Sequence, residues 1–370
     1  SREMPVFPGF LEIIRVVMDN TKSIALINKY RGQIMGFSAI CIVFFHLWEC
    51  QLSPSSPLRL LYWLEHCISG MGYFGVDIFF LLSGIGLSYA IGKYGLKEFW
   101  LRRFRRLVVP VLVVSLIQWA KEGWTVLYYL FGLTGIGFFI KRHYFLWFIS
   151  AITATYLLFP LYWRFFSRSR AKPRFTALFA AVWYLCSIPL AGVLKPIVFL
   201  FINRVPSFVL GVLLGWQQQN GGLKLSRRAV NTVAAVSAAA GLILGALCTF
   251  GETAFFQPPY NSTFPGVLIA FGFTVLLSEL GGLLDRGGRA VRGVNGFFGF
   301  YGRISLEIYC VQEFLGPIAA DAARALGCGS MAVNLVQLAA VTLSAWLLHI
   351  LTDRVLALTG RLKPRAKCAG

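Results

Sequence analysis

The chain has 370 residues, 57% of them hydrophobic and 14% charged, against roughly 25% charged in a soluble globular domain. That composition excludes a soluble enzyme and implies a polytopic membrane protein whose main partner is the lipid bilayer. A net charge of +20 would suggest nucleic acid in a soluble protein. Here the excess of basic residues in cytoplasmic loops accounts for it, and no nucleic-acid partner is expected.

The first residues, "SREMPVFPGFLEIIRVVMDN", lack the layout of a cleavable signal peptide, so the first apolar span is expected to act as the targeting signal. Apolar runs predict spans near 32–50, 72–91, 107–122, 144–163, 175–193, 197–216, 230–250, 265–283, 296–318 and 331–351. No alternating strand pattern is present, and a backbone in lipid must satisfy its own polar groups, so the spans are predicted to be helices. The expected fold is an all-α transmembrane bundle of about ten spans with both termini cytoplasmic. Residues 1–30 form a cytoplasmic or interfacial segment, 31–352 the membrane domain and 353–370 a basic cytoplasmic tail. The apolar stretch Thr125–Ile140, "TVLYYLFGLTGIGFFI", is short and glycine-rich. If it crossed, every later loop would flip and the basic loop Arg164–Arg174 would face outward, against the positive-inside rule. It is therefore expected to be re-entrant or interfacial.

Charged residues inside spans cost roughly 3 kcal/mol at mid-bilayer on insertion scales, so they are functional candidates by default. They are His46, Glu49, Asp77, Arg204, Arg303, Glu307 and Glu313. Counting the helical rise of about 1.5 Å per residue, His46 and Asp77 fall at similar depth on successive antiparallel spans. An Asp–His pair is therefore expected, with the carboxylate orienting an imidazole that works as general base. The other reading is a histidine that merely caps the span. Glu49 stands at i+3 from His46 on the same predicted helix face, though it could also snorkel to the outer surface. Arg204 reads as an ion-pair partner or a ligand contact.

On the inner side, "FWLRRFRRLVVP" (Phe99–Pro110) contains two interleaved R-x-x-R pairs. Arginines at i and i+3 share a helix face and make a fork suited to phosphate. A plain anchor on anionic head groups is the alternative. His66 reads as solvated and His143 as interfacial, and His349 lies near the inner end of the last predicted span. The eight cysteines show no metal-ligand spacing, and Cys50 and Cys67 flank one outer loop, where they could pair.

Several motifs in order resemble the acyltransferase 3 family of integral membrane enzymes. "MGFSAICIVFFH" (Met35–His46) resembles its first span and "GYFGVDIFFLLSGIGL" (Gly72–Leu87) its G-V-D-x-F-F-x-x-S-G signature. "RFRRLVVP" (Arg103–Pro110) resembles its R-x-x-R element, and "FLWFI", "YLLFP", "RVPSFVLG" and "GRISLEIYCVQE" resemble later spans. The resemblance implies a catalytic role for His46 and a donor-handling role for Arg103 and Arg106. It matches Asp77 and Arg204 to family positions and leaves Glu49, Glu307 and Tyr309 as possible support. Where members often carry a basic residue three turns before the histidine this chain has Met35, with Arg31 the nearest substitute. Where many have a histidine after the late tyrosine it has Gln312. The family implies transfer of an acyl group, by default acetyl, from acyl-CoA to a hydroxyl of a cell-envelope glycan or related acceptor. It also implies a bacterial plasma-membrane setting, acyl-CoA as co-substrate, no permanently bound cofactor and no metal. A proton-coupled transporter using the buried acids and histidine is the alternative, and a membrane sensor without an output domain a third reading.

Overall fold

The structure, a computed structural model, describes residues 25–140, 146–190, 193–221, 225–251 and 262–361. The first 24 residues, His143 and the segment beyond Arg361 lie outside them. Among the described residues every regular element is helical. The principal helices are α1 (Arg31–Leu47), α2 (Arg59–Met71), α3 (Gly75–Ile91), α4 (Leu96–Glu122), α5 (Val126–Leu133), α6 (Ile136–Ile140), α7 (Trp147–Arg168), α8 (Lys172–Leu190), α9 (Phe199–Ile202), α10 (Val205–Gln219), α11 (Arg227–Phe250), α12 (Thr263–Arg286), α13 (Arg289–Arg303), α14 (Ser305–Ala325) and α15 (Ser330–Arg361). Among the described residues six helical stretches are long and apolar enough to cross a membrane: Arg59–Ile91, Lys172–Leu190, Pro196–Gln219, Arg227–Phe250, Thr263–Arg286 and Ser330–Leu358, with α1 a shorter apolar helix.

The stretch expected not to cross is short in the structure, and local features shift the bounds of several expected spans. The stretch after Thr125 folds as two helices of eight and five residues, broken where Gly135 takes the left-handed conformation at φ +73°. The longer one rises only about 12 Å, far short of a roughly 30 Å hydrocarbon core. The predicted span 296–318 is two helices parted at Ile304 (φ −97°, ψ 11°), where Ser305 Oγ donates to the Gly302 carbonyl. Helix α4 starts eleven residues before the predicted span, so both R-x-x-R pairs and the buried Pro110 belong to one helix. The last helix likewise runs on to Arg361, past the predicted boundary at 352.

Small residues set the central packing, because in lipid helices associate through close van der Waals contact rather than hydrophobic exclusion. Helices α3 and α10 meet at Gly84 and Gly211, where an added Cβ would strike the Phe208 and Leu81 carbonyl oxygens respectively. Helix α1 is central and packs on α3, α13 and α14, and its contact with α13 relies on Gly36 and Gly302. Side chains between α7, α8 and α10 fill a second region with stacked rings, including Phe159, Tyr162, Phe166 and Phe179. Gly211→Leu should force α3 and α10 apart at an overpacking cost of about 1–3 kcal/mol. The expected result is a clear fall in Tm in detergent, and a variant melting with the parent would contradict this contact.

The contacts also order the two ends of the bundle. Gly72 sits against Cys41 and Phe45, Gly75 against Ser38 and Ile42, and Gly86 against Arg31. Helices α1 and α3 are therefore antiparallel, with Arg31 and Gly86 at a basic end and His46 at the other.

Candidate active site

His46 lies in the last turn of α1, which ends at Leu47 because Trp48 turns to extended backbone (φ −77°, ψ 119°). Its Nδ1–H donates to the Ile42 carbonyl at 2.9 Å. A carbonyl can only accept, so this bond selects the Nδ1–H tautomer and leaves the Nε2 lone pair free. Nε2 faces Glu313 Oε1 at 3.3 Å, with both side chains partly open to solvent. An imidazole lone pair and a carboxylate repel unless a proton lies between them, so the pair is built to hold and pass one proton. Gln312, wholly buried, brings its side-chain amide to 3.3 Å from Nδ1. With Nδ1 protonated, the amide oxygen is the end that suits this contact.

The loop after α1 is tied down, and that holds the imidazole. Glu65 accepts from the Trp48 indole and the Gln51 and Leu52 amides at 2.8–2.9 Å. Asn334 bonds both the amide and the carbonyl of Glu49, and Gln337 donates to the Leu47 carbonyl. Glu49 is outside the helix, so it does not share the His46 face as expected; its carboxylate pairs with Arg324. Cys50 and Cys67 are free, and the Cys50 Sγ sits 3.1 Å from Ser69 Oγ instead.

The expected Asp77–His46 pair does not form. Asp77 accepts from Ser207 Oγ at 3.1 Å and lies 3.9 Å from Arg204 Nε, with both members of this ion pair 98% or more buried. Gly266 makes room for its carboxylate, since a Cβ there would come within 2.6 Å of Oδ1. The Arg204 guanidinium also donates to the Leu200 carbonyl and lies over the Trp147 ring. Two facts separate Asp77 from His46. The apolar helical run begins at Arg59, not at 72, so Gly75 already stands level with Ser38, roughly 12 Å of helix away from His46. Residues two apart on a helix also point about 200° apart, so with Gly75 against α1, Asp77 faces α10 and α12.

At the basic end, Arg31, Arg102, Arg103 and Arg106 border a cavity of about 420 Å³. The four arginines of the interleaved pairs have different partners. Arg102 is held by Glu98 at the surface and Arg105 by the Leu356 carbonyl. Arg103 donates to the Gly86 carbonyl and Arg106 to that of Arg303, both beside the cavity. Met35 also lines it, so Arg31, one turn earlier on the same face of α1, supplies the cation where Met35 stands. The cavity continues along Phe79, Phe148 and Tyr309 to Ile42, whose carbonyl holds His46. Tyr309 shapes this wall, since its hydroxyl accepts the Phe148 amide at 2.8 Å and so satisfies a free N–H in the first turn of α7. Glu307, in the first turn of α14, is instead bonded to His349 at 3.0 Å. Sequence reasoning gave no role to Glu313, Gln312 or His349. Glu313 stood out only as a charge in an apolar run, and its partner is 267 residues away in the chain.

A basic end, an apolar passage and a histidine facing a carboxylate are thus arranged along one helix. The family model for the acyltransferase 3 domain, described as an acyltransferase domain, matches residues 35–352. The chain belongs to the acyltransferase 3 family. No curated protein and no solved structure matches it. The match covers α1 from Met35 through most of α15, so His46, the R-x-x-R element and Glu313 all fall within the acyltransferase domain, and Arg31 lies just before it. Its helices and membership make it a membrane acyltransferase.

Proposed function

We propose that this acyltransferase takes an acyl group, acetyl in the simplest case, from acyl-CoA at the basic end. It passes the group to a hydroxyl of a cell-envelope glycan or related acceptor at the His46 end. The observation that carries the reading is the cavity bordered by four guanidiniums at one end and by Ile42, the residue that holds His46, at the other. Arg31 and His46 are separated by fifteen residues of α1, roughly 22 Å, a span suited to a donor with a phosphate head and a long thin arm. The positive-inside rule supports a cytoplasmic basic end, which would put the donor with the cytosolic acyl-CoA pool and His46 toward the envelope.

In this reading Arg103 and Arg106 take the diphosphate, for which guanidiniums supply charge-assisted bonds, and the pantetheine arm runs along Phe79 and Phe148. The acceptor oxygen attacks the thioester carbonyl as its proton moves to His46 Nε2. The C–S bond then breaks and CoA leaves as the thiolate, which takes that proton to become the thiol. Glu313 stabilises the imidazolium formed on the way. Asp77 and Arg204 hold the bundle rather than the reaction.

The direct test is transfer of labelled acetyl from acetyl-CoA in membranes carrying the protein, and no donor-dependent transfer to any envelope fraction would refute the reading. Uptake of a solute into liposomes without donor would favour a proton-coupled transporter instead. Arg103→Ala should raise the KM for the donor about tenfold with a smaller change in kcat, the loss of a charge-assisted bond worth roughly 1.5–3 kcal/mol. A KM within twofold of the parent would remove Arg103 from donor binding.

A further inference from the structure

Beside the donor cavity is a second one of about 430 Å³ that shares Arg31, Met35 and Arg106 with it. Its other walls come from α13, α14 and α15 and include Arg303, Glu307, His349 and Asp353. Three guanidiniums therefore line this cavity, and Arg303 is exposed at its rim. The polar groups within are of a different kind. His349 bridges two carboxylates, with Nδ1 3.0 Å from Glu307 Oε1 and Nε2 3.5 Å from Asp353 Oδ2. Glu307 is wholly buried, yet its second oxygen, Oε2, is without a hydrogen-bond partner. A buried carboxylate oxygen with no donor costs free energy comparable to a lost hydrogen bond, so this position asks for an incoming N–H or O–H.

The division is chemically specific. Phosphate needs guanidinium, and a carboxylate would repel it. An amino group needs an acceptor, and a guanidinium cannot provide one. A ligand carrying both a phosphate and an exocyclic amine meets both requirements in one cavity. We propose that this second cavity binds the adenosine 3′-phosphate end of the acyl-CoA donor. Arg303 holds the 3′-phosphate at the rim, Glu307 Oε2 accepts from the adenine amino group, and His349 keeps the Glu307 carboxylate in place. Arg31 and Arg106, common to both cavities, stand at the junction where the diphosphate passes into the arm. The assignment rests on acyl-CoA being the donor.

The test is ligand competition on the purified full-length protein in detergent. Fluorescent CoA is displaced by CoA, 3′-dephospho-CoA, adenosine 3′,5′-bisphosphate, inorganic pyrophosphate or phosphatidylglycerol micelles. The expected result is that the bisphosphate competes well and that 3′-dephospho-CoA binds about tenfold more weakly than CoA. Arg303→Ala should abolish this preference for the 3′-phosphate, and Glu307→Gln should weaken the bisphosphate without altering 4′-phosphopantetheine. Arg303 is exposed, so its variant tests the site without disturbing the core. Failure of the protein to bind CoA at all would overturn the donor reading itself. CoA binding without competition by the bisphosphate, or unchanged by Arg303→Ala, would overturn this inference and leave the donor reading intact. Equal displacement by pyrophosphate or phosphatidylglycerol would also overturn it, since the site would then recognise phosphate without a purine.

Discussion

His46→Ala should reduce acyl transfer by about a thousandfold while the protein still folds and inserts. A positioned general base contributes roughly 10²- to 10⁴-fold, and His46 holds its Nε2 3.3 Å from Glu313. The imidazole is partly open to solvent, so its loss should leave the melting temperature near the parent's. Glu313→Gln sharpens the test. Glutamine keeps the size and reach of the side chain but cannot carry the charge that faces Nε2. The expected outcome is a fall of about 10- to 100-fold in kcat, with KM for donor and acceptor nearly unchanged, because a group acting only as charge develops alters kcat and not ground-state binding. Glu313→Asp, which restores the charge, should recover part of the rate. Transfer by a well-expressed His46→Ala variant at more than a tenth of the parent rate would remove the histidine from the chemistry. Full activity in Glu313→Gln would reduce that carboxylate to a bystander.

A different kind of loss is expected at Asp77. Removing it leaves Arg204 charged, buried and without its ion pair, and breaking one side of a buried pair typically costs about 3–5 kcal/mol. Asp77→Ala should therefore express poorly or melt well below the parent, measured by thermal unfolding in detergent. The double variant Asp77→Leu/Arg204→Leu should recover much of that stability, because two apolar groups of similar volume remove the uncompensated charge along with the pair. The two sites are thus separable by experiment. If Asp77 oriented His46, Asp77→Asn would copy the catalytic loss of His46→Ala with an unchanged melting temperature. In this structure the instability should come first, and whatever folded protein remains should still transfer.

Much of the architecture was legible in the residues. Long apolar runs predicted helices because lipid offers the backbone no other partner, and those runs coincide with most of the helices observed. The arginine pairs were legible as sharing helix faces from their i, i+3 spacing. Which of the four reach the cavity was not: Arg102, Arg103 and Arg106 line it, while Arg105 is drawn off by a carbonyl 251 residues away. The break at Ile304 was hidden inside a continuous apolar run, and with it the turn that brings Glu307 to His349.

Sequence alone determined the class of the molecule, the helical nature of its spans and the family, because each follows from local composition or motif order. The partner of His46 was decided only by tertiary structure. Depth counted along one span depends on where the helix enters the bilayer, and the helical run that leads into α3 starts at Arg59 rather than 72. That offset turns Asp77 toward Arg204 and leaves the imidazole to Glu313, a residue carried across from α14. Such a pairing depends on how helices pack against one another, and no spacing within a single helix records it.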